Sequence, residues 1–249
     1  MSRPQPDREV AVAVQRLRLC YAKRGRLRFA SHRDFQRALE RALRRANVPM
    51  AFSAGFNPHP KISYANAAPT GTASEAEYFE IGVVEKVDPE QLREVLDHAM
   101  PDGFHIVDVV EANTPDFVAR LEASLWRIRL VDVDGEAVRA AVAAFLAEER
   151  VEVDRATKDG HRTLETRHVV VSLDAPDSTP DDRGRPCVIL TAVVRNETPS
   201  VRPDDLLNAL RLVGGLALAV PPEVTRLAQG PLDPQAGTVG DPFAPDRAR

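Results

Sequence analysis

A helix-forming segment near the N-terminus carries a row of arginines suited to bind phosphate groups. Ser31 followed by Asp34 is the pattern of a capping box that begins a helix, and Asn47 and Pro49 end it. At about 100° per residue, the apolar sector contains Phe35, Ala38, Leu39, Ala42, Leu43 and Ala46. The opposite sector contains Arg33, Arg37, Arg41, Arg44 and Arg45. Because guanidinium groups stay charged and match phosphate oxygens in geometry, the row predicts contacts with an anion.

A second candidate binding element is a loop that contains the sequence Gly55-Phe-Asn-Pro-His-Pro-Lys. Its two prolines fix their own φ angles and favour an extended backbone at the residue before each of them. Asn57, His59 and Lys61 are therefore presented with little conformational freedom, which suits recognition of a polar anion. The alternative interpretation is a proline-rich loop that packs on a sheet and leaves Lys61 solvated.

Four further arginines are predicted on one face of a strand pair that precedes the helix. Apolar and polar residues alternate over 14–21, a turn follows at Lys23-Arg24-Gly25, and the alternation resumes over 26–29. The arginines of this face are Arg16, Arg18, Arg26 and Arg28.

Two histidines in these segments are candidates for acid–base chemistry. His32, at the first helical position, could donate to a phosphate beside the free backbone N–H groups, or it could complete the cap as a structural residue. In a catalytic interpretation, His32 or His59 is the general acid or base and Asp34 is the orienting carboxylate. These residues lack the spacing of known zinc motifs, and the sequence has no Walker loop or GxGxxG, so we predict no metal and no cofactor.

The charge of the chain is strongly segregated. Residues 1–61 hold 14 Lys+Arg and 4 Asp+Glu, whereas the rest of the chain holds 19 Lys+Arg and 33 Asp+Glu. A basic module on an acidic body is typical of a surface that faces an anion. The alternative is a basic patch that docks against an acidic patch of the same chain or of a partner.

The order of predicted elements indicates an α+β fold made of two tandem ferredoxin-like (βαββαβ) domains with antiparallel sheets. In the first domain, residues 12–112, the helix precedes predicted strands at 50–53, 77–85 and 104–111 and a helix at 89–100. A linker around 112–124 leads to the second domain, residues 124–229. Its predicted strands are 125–133, 151–155, 167–173, 187–195 and 223–228, and its predicted helices are 136–148 and 204–212. Composition predicts disordered tails at 1–11 and 230–249.

Other sequence features indicate an ordinary cytoplasmic protein without a membrane partner. Cys20 and Cys187 lie far apart in apolar runs and are interpreted as small buried side chains. No apolar stretch reaches the roughly 18 residues of a membrane helix. The first ten residues contain no apolar signal core.

Several of these motifs resemble DUF2344, a family of radical-SAM-linked proteins of unknown function. The resemblance rests on Leu27-Arg-Phe-Ala-Ser-His-Arg-Asp-Phe-Gln-Arg, Arg41-Ala-Leu-Arg-Arg-Ala, Gly55-Phe-Asn-Pro-His-Pro-Lys and Glu77-Tyr-Phe-Glu. The resemblance covers residues from about 14 to 85, and 208–231 resembles the actinobacterial branch more loosely. The sequence departs from the family at Arg33, where Leu is usual, and at Tyr64-Ala-Asn-Ala, where Phe-Ala and an apolar residue are expected.

The resemblance implies a setting of RNA or translation and a radical SAM partner with a B12-binding domain. The chain lacks the CxxxCxxC motif that holds a radical SAM cluster, so it is not itself the radical enzyme. We therefore expect an accessory protein that holds structured RNA, ribosomal or transfer RNA, for that partner. Asn57, His59 and Lys61 would supply the more specific contacts. The phosphates would be contacted by eight arginines: Arg16, Arg18, Arg26, Arg28, Arg37, Arg41, Arg44 and Arg45. Two alternatives stay open: an enzyme that acts directly on RNA, and a protein-interaction scaffold with a basic face.

Overall fold

The computed structural model of the protein describes residues 11–54, 56–157, 160–176 and 178–248. The chain divides into two compact units, one of residues 1–118 with 243–249 and one of residues 119–242. Both units combine helices with mostly antiparallel strands, which confirms the predicted α+β class. The predicted tail at 1–11 falls, except for residue 11, outside the described residues.

Unit 1 contains the basic helix and the strands on which it packs. Its elements are β1 (Gln15–Lys23), a 3₁₀ turn (Gly25–Phe29), α1 (His32–Arg45), β2 (Ile62–Ala65), β3 (Ala73–Val83), α2 (Pro89–Ala99), β4 (Phe104–Glu111) and α5 (Ala244–Arg247). Within the unit the strands lie in the order β4-β1-β3-β2, and each neighbouring pair is antiparallel. The strand predicted at 50–53 is limited to two isolated bridges, and the loop predicted at 54–75 contains β2.

The core of unit 1 lies between one face of this sheet and the two longer helices. Leu17 and Leu19 of β1 and Ile81 of β3 pack with Phe35 and Leu39 of α1, and all five are buried. Ring stacking strengthens this contact, since the ring centroids of Tyr21 and Phe35 are 3.8 Å apart and nearly parallel. Successive side chains of a strand point to opposite faces, so Arg16, Arg18 and Glu80 lie on the other face of the sheet.

The strand predicted at 26–29 is wrong, because Gly25–Phe29 forms a 3₁₀ turn. Gly25 has a φ of +54°, which turns the chain, and the N–H groups of Leu27 and Ala30 donate to carbonyls three residues earlier. Leu27 then packs against the core. Alternation over four residues fits such a turn as well as it fits a strand, so the sequence pattern was too short to decide.

The second face of the sheet is partly covered by two segments that the sequence placed outside the domains. Tyr78 of β3, Phe117 and Phe243 form a cluster with ring centroids 5.4–5.6 Å apart. Phe243 is 1% exposed. Residues 230–248 were predicted as a disordered tail, but the structure instead gives them β12 (Leu232–Asp233), β13 (Thr238–Val239) and α5.

Unit 2 has its own core and pair of helices. Its other elements are β5 (Ala123–Val131), α3 (Gly135–Ala147), β6 (Glu152–Thr157), β7 (Gly160–Glu165), β8 (Val170–Asp174), β9 (Thr179–Pro180), β10 (Pro186–Arg195), α4 (Pro203–Gly214) and β11 (Glu223–Gly230). The strands lie in the order β11-β5-β10-β8, with β9 paired to β10 and with β6 and β7 forming a separate hairpin.

The helices of unit 2 approach each other closely at a glycine. A Cβ atom added to Gly214 of α4 would lie 2.3 Å from the Cα atom of Ala141 on α3. Only glycine permits this approach, and it brings Leu210 of α4 onto the α3 core residues Val138 and Phe145.

No helix among the described residues is long and apolar enough to cross a membrane. Cys20 and Cys187 are both buried and unbridged, as their apolar surroundings predicted.

Candidate functional site

The arginine row of α1 is exposed along the length of the helix. Ser31 and Asp34 form the predicted capping box, with the Ser31 hydroxyl accepting from the Asp34 N–H at 3.2 Å. The buried side of α1 consists of Phe35, Ala38, Leu39, Ala42 and Leu43, while Ala46 is half-buried against the same core. The exposed side carries Arg33, Arg37, Arg41, Arg44 and Arg45.

Four of these arginines follow one another at intervals of four residues. At 1.5 Å per residue, this spacing sets Arg33, Arg37, Arg41 and Arg45 about 6 Å apart along the axis. Arg37 and Arg41 make no ion pair with any described residue. Arg44 lies 3.6 Å from Glu40, and Arg45 donates to the Ala99 carbonyl at 3.2 Å. The row therefore offers several guanidinium groups to solvent with little competition from carboxylates.

The sheet arginines do not form the predicted common face. Arg16 is exposed at 71% of its side chain, whereas Arg18 is 4% exposed as a residue. The Arg18 guanidinium contacts Asp246 at 2.5 Å and Glu80 at 3.2 Å, and it donates to the Thr114 carbonyl. The prediction that Arg18 is available to phosphates is therefore wrong, because segments distant in sequence cover its face of the sheet.

Arg26 and Arg28 lie on the 3₁₀ turn instead of on a strand. Arg26 is exposed, and the Arg28 guanidinium stacks over the Phe29 ring at 4.8 Å. Phe29 itself is 60% exposed. This edge of unit 1 therefore presents an arginine and an aromatic ring together, in an arrangement different from the predicted strand face.

The proline-rich loop is held as a narrow hairpin between Phe52 and Pro60. The N–H of Ser53 donates to the His59 carbonyl at 2.8 Å, and the N–H of His59 donates to the Ser53 hydroxyl at 3.0 Å. Asn57, His59 and Lys61 are all exposed, as predicted. Residue 55 of this motif lies outside the described residues.

A cleft of about 470 Å³ lies between this hairpin and the sheet of unit 1. The polar side chains that line it are those of Arg16, Ser53, His59, Lys61, Ser63 and Glu80. Its floor includes Gly82, where an added Cβ would come within 3.7 Å of the Cβ atoms of Ala13, Ala51 and Lys61. The structure thus brings together three predicted residues, Arg16, His59 and Lys61, with carboxylate and hydroxyl groups that the sequence analysis missed.

The cleft and the arginine row lie on opposite sides of the sheet. The α1 helix covers the face that carries Leu17, Phe79 and Ile81. Arg16, Glu80 and Gly82 occupy alternate positions of the same strands and so face the other way. The predicted RNA contacts therefore divide into two surfaces.

His32 and His59 have different neighbours. The ring centroids of His32 and Tyr64 are 4.8 Å apart in a T-shaped arrangement, and the His32 Nε2 atom lies 3.0 Å from the Gln36 side-chain amide. Partial burial lowers the pKa of His32, and Glu77 and Lys23 act on it in opposite directions. Burial likewise raises the pKa of Tyr64 to about 12. His32 is therefore neutral at neutral pH.

The Asp34 carboxylate caps α1 and does not orient a histidine. Its carboxylate accepts from the Ser31 N–H at 3.0 Å and from the Ser31 hydroxyl at 2.7 Å. Those hydrogen bonds lower the pKa of Asp34. The carboxylate is committed to the start of α1, and this leaves the proposed role of orienting His32 without geometric support.

Two buried charged residues near His32 escaped the sequence analysis. Lys23 is 5% exposed and donates to the Pro69 carbonyl at 3.2 Å, while Glu77 is 1% exposed and accepts from the Ala68 N–H at 2.8 Å. Glu77 lies opposite Tyr21 and two residues before Phe79, so it shares the face of these core residues, while Lys23 ends β1 after a bulge. A charged residue at such a position in an alternating pattern was the available signal. Together they anchor the 66–72 loop beside His32.

No group of three or more His, Cys, Asp or Glu side chains among the described residues could hold a metal ion.

Comparison with known families decides how the chain is classified. The model of a family described as "Uncharacterized protein conserved in bacteria (DUF2344)" matches residues 16–203. The chain belongs to the DUF2344 family. The matched region includes α1, the hairpin and the cleft residues from Arg16 to Gly82.

The other comparisons give little further information about this DUF2344 protein. No curated protein matches the chain. Among solved structures, the encapsulated DyP-type peroxidase from Mycobacterium smegmatis is 12% identical, with 91% of this chain and 94% of that chain covered and a TM-score of 0.22. A DypB variant in complex with manganese is also 12% identical, with 83% and 86% covered and a TM-score of 0.21. TM-scores this low do not bear on fold or function.

Proposed function

We propose that this DUF2344 protein is an RNA-binding accessory protein that presents structured RNA, ribosomal or transfer RNA, to a modifying partner. The observation that carries the proposal is the exposed row of arginines on α1. Arg37 and Arg41 point to solvent without ion pairs among the described residues. Exposed guanidinium groups at regular spacing are suited to successive phosphates, which dominate the affinity of proteins for nucleic acids.

Exposed aromatic rings beside the basic surfaces favour nucleic acid over an acidic protein. Phe29, Phe52 and Phe56 are 60%, 46% and 56% exposed, and all three lie in the basic N-terminal segment. Aromatic rings next to arginines stack on nucleobases, whereas a purely acidic partner surface offers them no such contact.

The identity of the partner rests on the family resemblance. DUF2344 proteins are expected beside radical SAM proteins with a B12-binding domain, and this chain lacks the cluster-binding cysteines of such an enzyme. The proposal therefore assigns RNA binding to this chain and the radical chemistry to the partner. It also places both proteins in the cytoplasm.

We further propose that each unit is a variant of the ferredoxin-like fold. The order β4-β1-β3-β2 in unit 1, with helices after β1 and β3, supports this for the first domain. In unit 2 the order β11-β5-β10-β8 is equivalent if the β6–β7 hairpin is an insertion after α3. Open sheets of this class carry RNA on their faces or edges in many proteins, which is an analogy of fold only.

A second candidate function, direct catalysis on RNA, is favoured by the surroundings of His32. A neutral imidazole beside the buried Lys23 and Glu77 is suited to general acid–base chemistry. His59, the other candidate base, is exposed in the cleft. Turnover of RNA by the purified protein, abolished by His32→Ala, would favour this function over the accessory role.

The RNA proposal is tested by charge reversal of the α1 row. Four or five engaged arginines predict a slope of log affinity against log salt of roughly −4 on duplex RNA, taking about −0.9 per phosphate from B-form DNA. Arg37→Glu with Arg41→Glu should weaken binding to every sequence alike and make the slope less negative by about 2. Arg127→Glu with Arg211→Glu, which reverses the same number of charges at exposed positions of unit 2, is the matched control. If the wild-type protein shows no salt-sensitive RNA binding, the proposal fails and a scaffold with a basic face replaces it.

A further inference from the structure

The cleft beneath the hairpin has the charge of an anion site. Arg16 and Lys61 bring two positive charges to it, and Glu80 brings one negative charge. The Glu80 carboxylate is already held by the buried Arg18 at 3.2 Å, and it lies 3.8 Å from Arg16. Arg16 and Lys61 together exceed Glu80 by one positive charge, and both residues are exposed, so a ligand can reach them.

The dimensions and donors of the cleft suit a ligand of nucleotide size. Its volume of about 470 Å³ falls within the range of small-molecule sites. The Ser53 and Ser63 hydroxyls and the His59 ring add neutral hydrogen-bonding groups around the two cations. Gly82 leaves the floor open between Ala13 and Lys61, where any side chain would fill the space.

We propose that the cleft holds one unpaired nucleotide of the bound RNA, with its phosphate between Arg16 and Lys61. This inference rests on the proposed function, since it names the part of the RNA that this second surface binds. It also follows from the position of the cleft on the opposite side of the sheet from the α1 row. A rigid duplex that lies along α1 does not reach the cleft, whereas a flexible single-stranded extension can pass around the sheet.

The experiment measures the affinity of the full chain for three probes: a labelled oligouridine strand, a blunt RNA duplex, and adenosine monophosphate. Arg16→Gln with Lys61→Gln removes the cleft cations, and Lys86→Gln with Arg127→Gln removes the same two charges elsewhere as a control. Loss of the phosphate contact in the cleft should make the slope of log affinity against log salt for oligouridine less negative by about 0.7, the value for one contact on a single strand.

The expected result is that the cleft variants weaken oligouridine binding and leave duplex binding unchanged, while Arg37→Glu with Arg41→Glu weakens both. If the wild-type protein binds both RNAs but the cleft variants bind oligouridine normally, this inference is overturned and the proposed function stands. If adenosine monophosphate binds in the cleft and neither RNA binds, both are overturned, because the cleft is then a site for free nucleotides.

Discussion

Arg18 and Asp246 form a buried ion pair in unit 1, with Arg18 Nη1 2.5 Å from Asp246 Oδ2, although 228 positions separate them in the sequence. The other oxygen of Asp246 accepts from the backbone N–H groups of Asn113 and Thr114 at 3.0 and 2.9 Å. One carboxylate thus fixes β1, the segment after β4, and α5.

Removal of Arg18 should destabilise the protein strongly. Arg18→Ala leaves the buried Asp246 carboxylate without its cation, which costs about 3–5 kcal/mol in the free energy of unfolding. Asp246→Ala should cost less, because Glu80 still pairs with Arg18. The double variant should lose less than the sum of the two single variants, because the pair interacts directly. Urea unfolding measures all three. Arg247→Ala is the control, since Arg247 pairs with Asp108 at an exposed position and should cost less than about 1 kcal/mol. Losses as small for Arg18→Ala as for Arg247→Ala would contradict the assignment of a buried pair.

His59 distinguishes recognition from catalysis. The His59 side chain makes no hydrogen bond or ion pair with the described residues, and its backbone alone closes the hairpin. His59→Ala should therefore change the free energy of unfolding by no more than about 0.5 kcal/mol. If His59 recognises RNA, affinity should fall by roughly 1–3 kcal/mol. If it is a general acid or base, binding should persist while turnover falls about 10²–10⁴-fold. Marked loss of thermal stability with unchanged binding would show that the side chain is structural.

The His168 side chain in unit 2 should make stability depend on pH. Its ring lies between Glu197 at 3.0 Å and Glu165, and hydrogen bonds to these carboxylates raise the pKa of His168. Because the folded protein holds this proton more tightly, the stabilisation is complete below the unfolded pKa, about 6.5, and is lost as pH rises through the folded pKa. The difference in unfolding free energy between wild type and His168→Ala should therefore shrink from pH 6 to above neutrality, by at most about 1 kcal/mol at this exposed site.

Glu165 should contribute in the opposite direction. Although partial burial opposes the shift, hydrogen bonds from the backbone of His168 and Val151 lower the pKa of Glu165 to about 2. Its contribution is present above the usual pKa of a glutamate and is lost as pH falls toward 2. Glu197→Gln should weaken the dependence near neutral pH while preserving the loss in acid. An identical pH dependence of stability in the wild-type protein and in Glu197→Gln would exclude Glu197 as the partner of His168.

The contact between α3 and α4 predicts that Gly214→Ala is destabilising. The new methyl group would overlap the Cα atom of Ala141, so the helices must separate. Overpacking of this kind typically costs about 1–3 kcal/mol. Asn208→Ala, an exposed change on the same helix, should be neutral or slightly stabilising. Equal stability of the two variants in urea would show that α4 can separate from α3 at no cost in the free energy of unfolding.

The features that the sequence predicted correctly depend on residues that are close together along the chain. The α1 helix, its cap and its arginine row follow from periodicity within one segment, and the structure agrees. The burial of Arg18 could not be predicted, because it depends on Thr114 and Asp246 crossing the second face of the sheet. The cleft was missed for the same reason, since Ser53, Glu80 and Gly82 meet only after β3 pairs with its neighbours.

The place of α5 in unit 1 has a consequence for how the protein is made. A ribosome releases Arg18 early, but Asp246 and Phe243 follow only after all of residues 119–242 have been synthesised. Until then, the Arg18 guanidinium and the rings of Tyr78 and Phe117 lack the partners that cover them in the finished fold. Unit 1 therefore begins to be translated before unit 2 but is completed only after it. A chaperone would encounter the uncovered sheet face of unit 1 throughout the synthesis of unit 2.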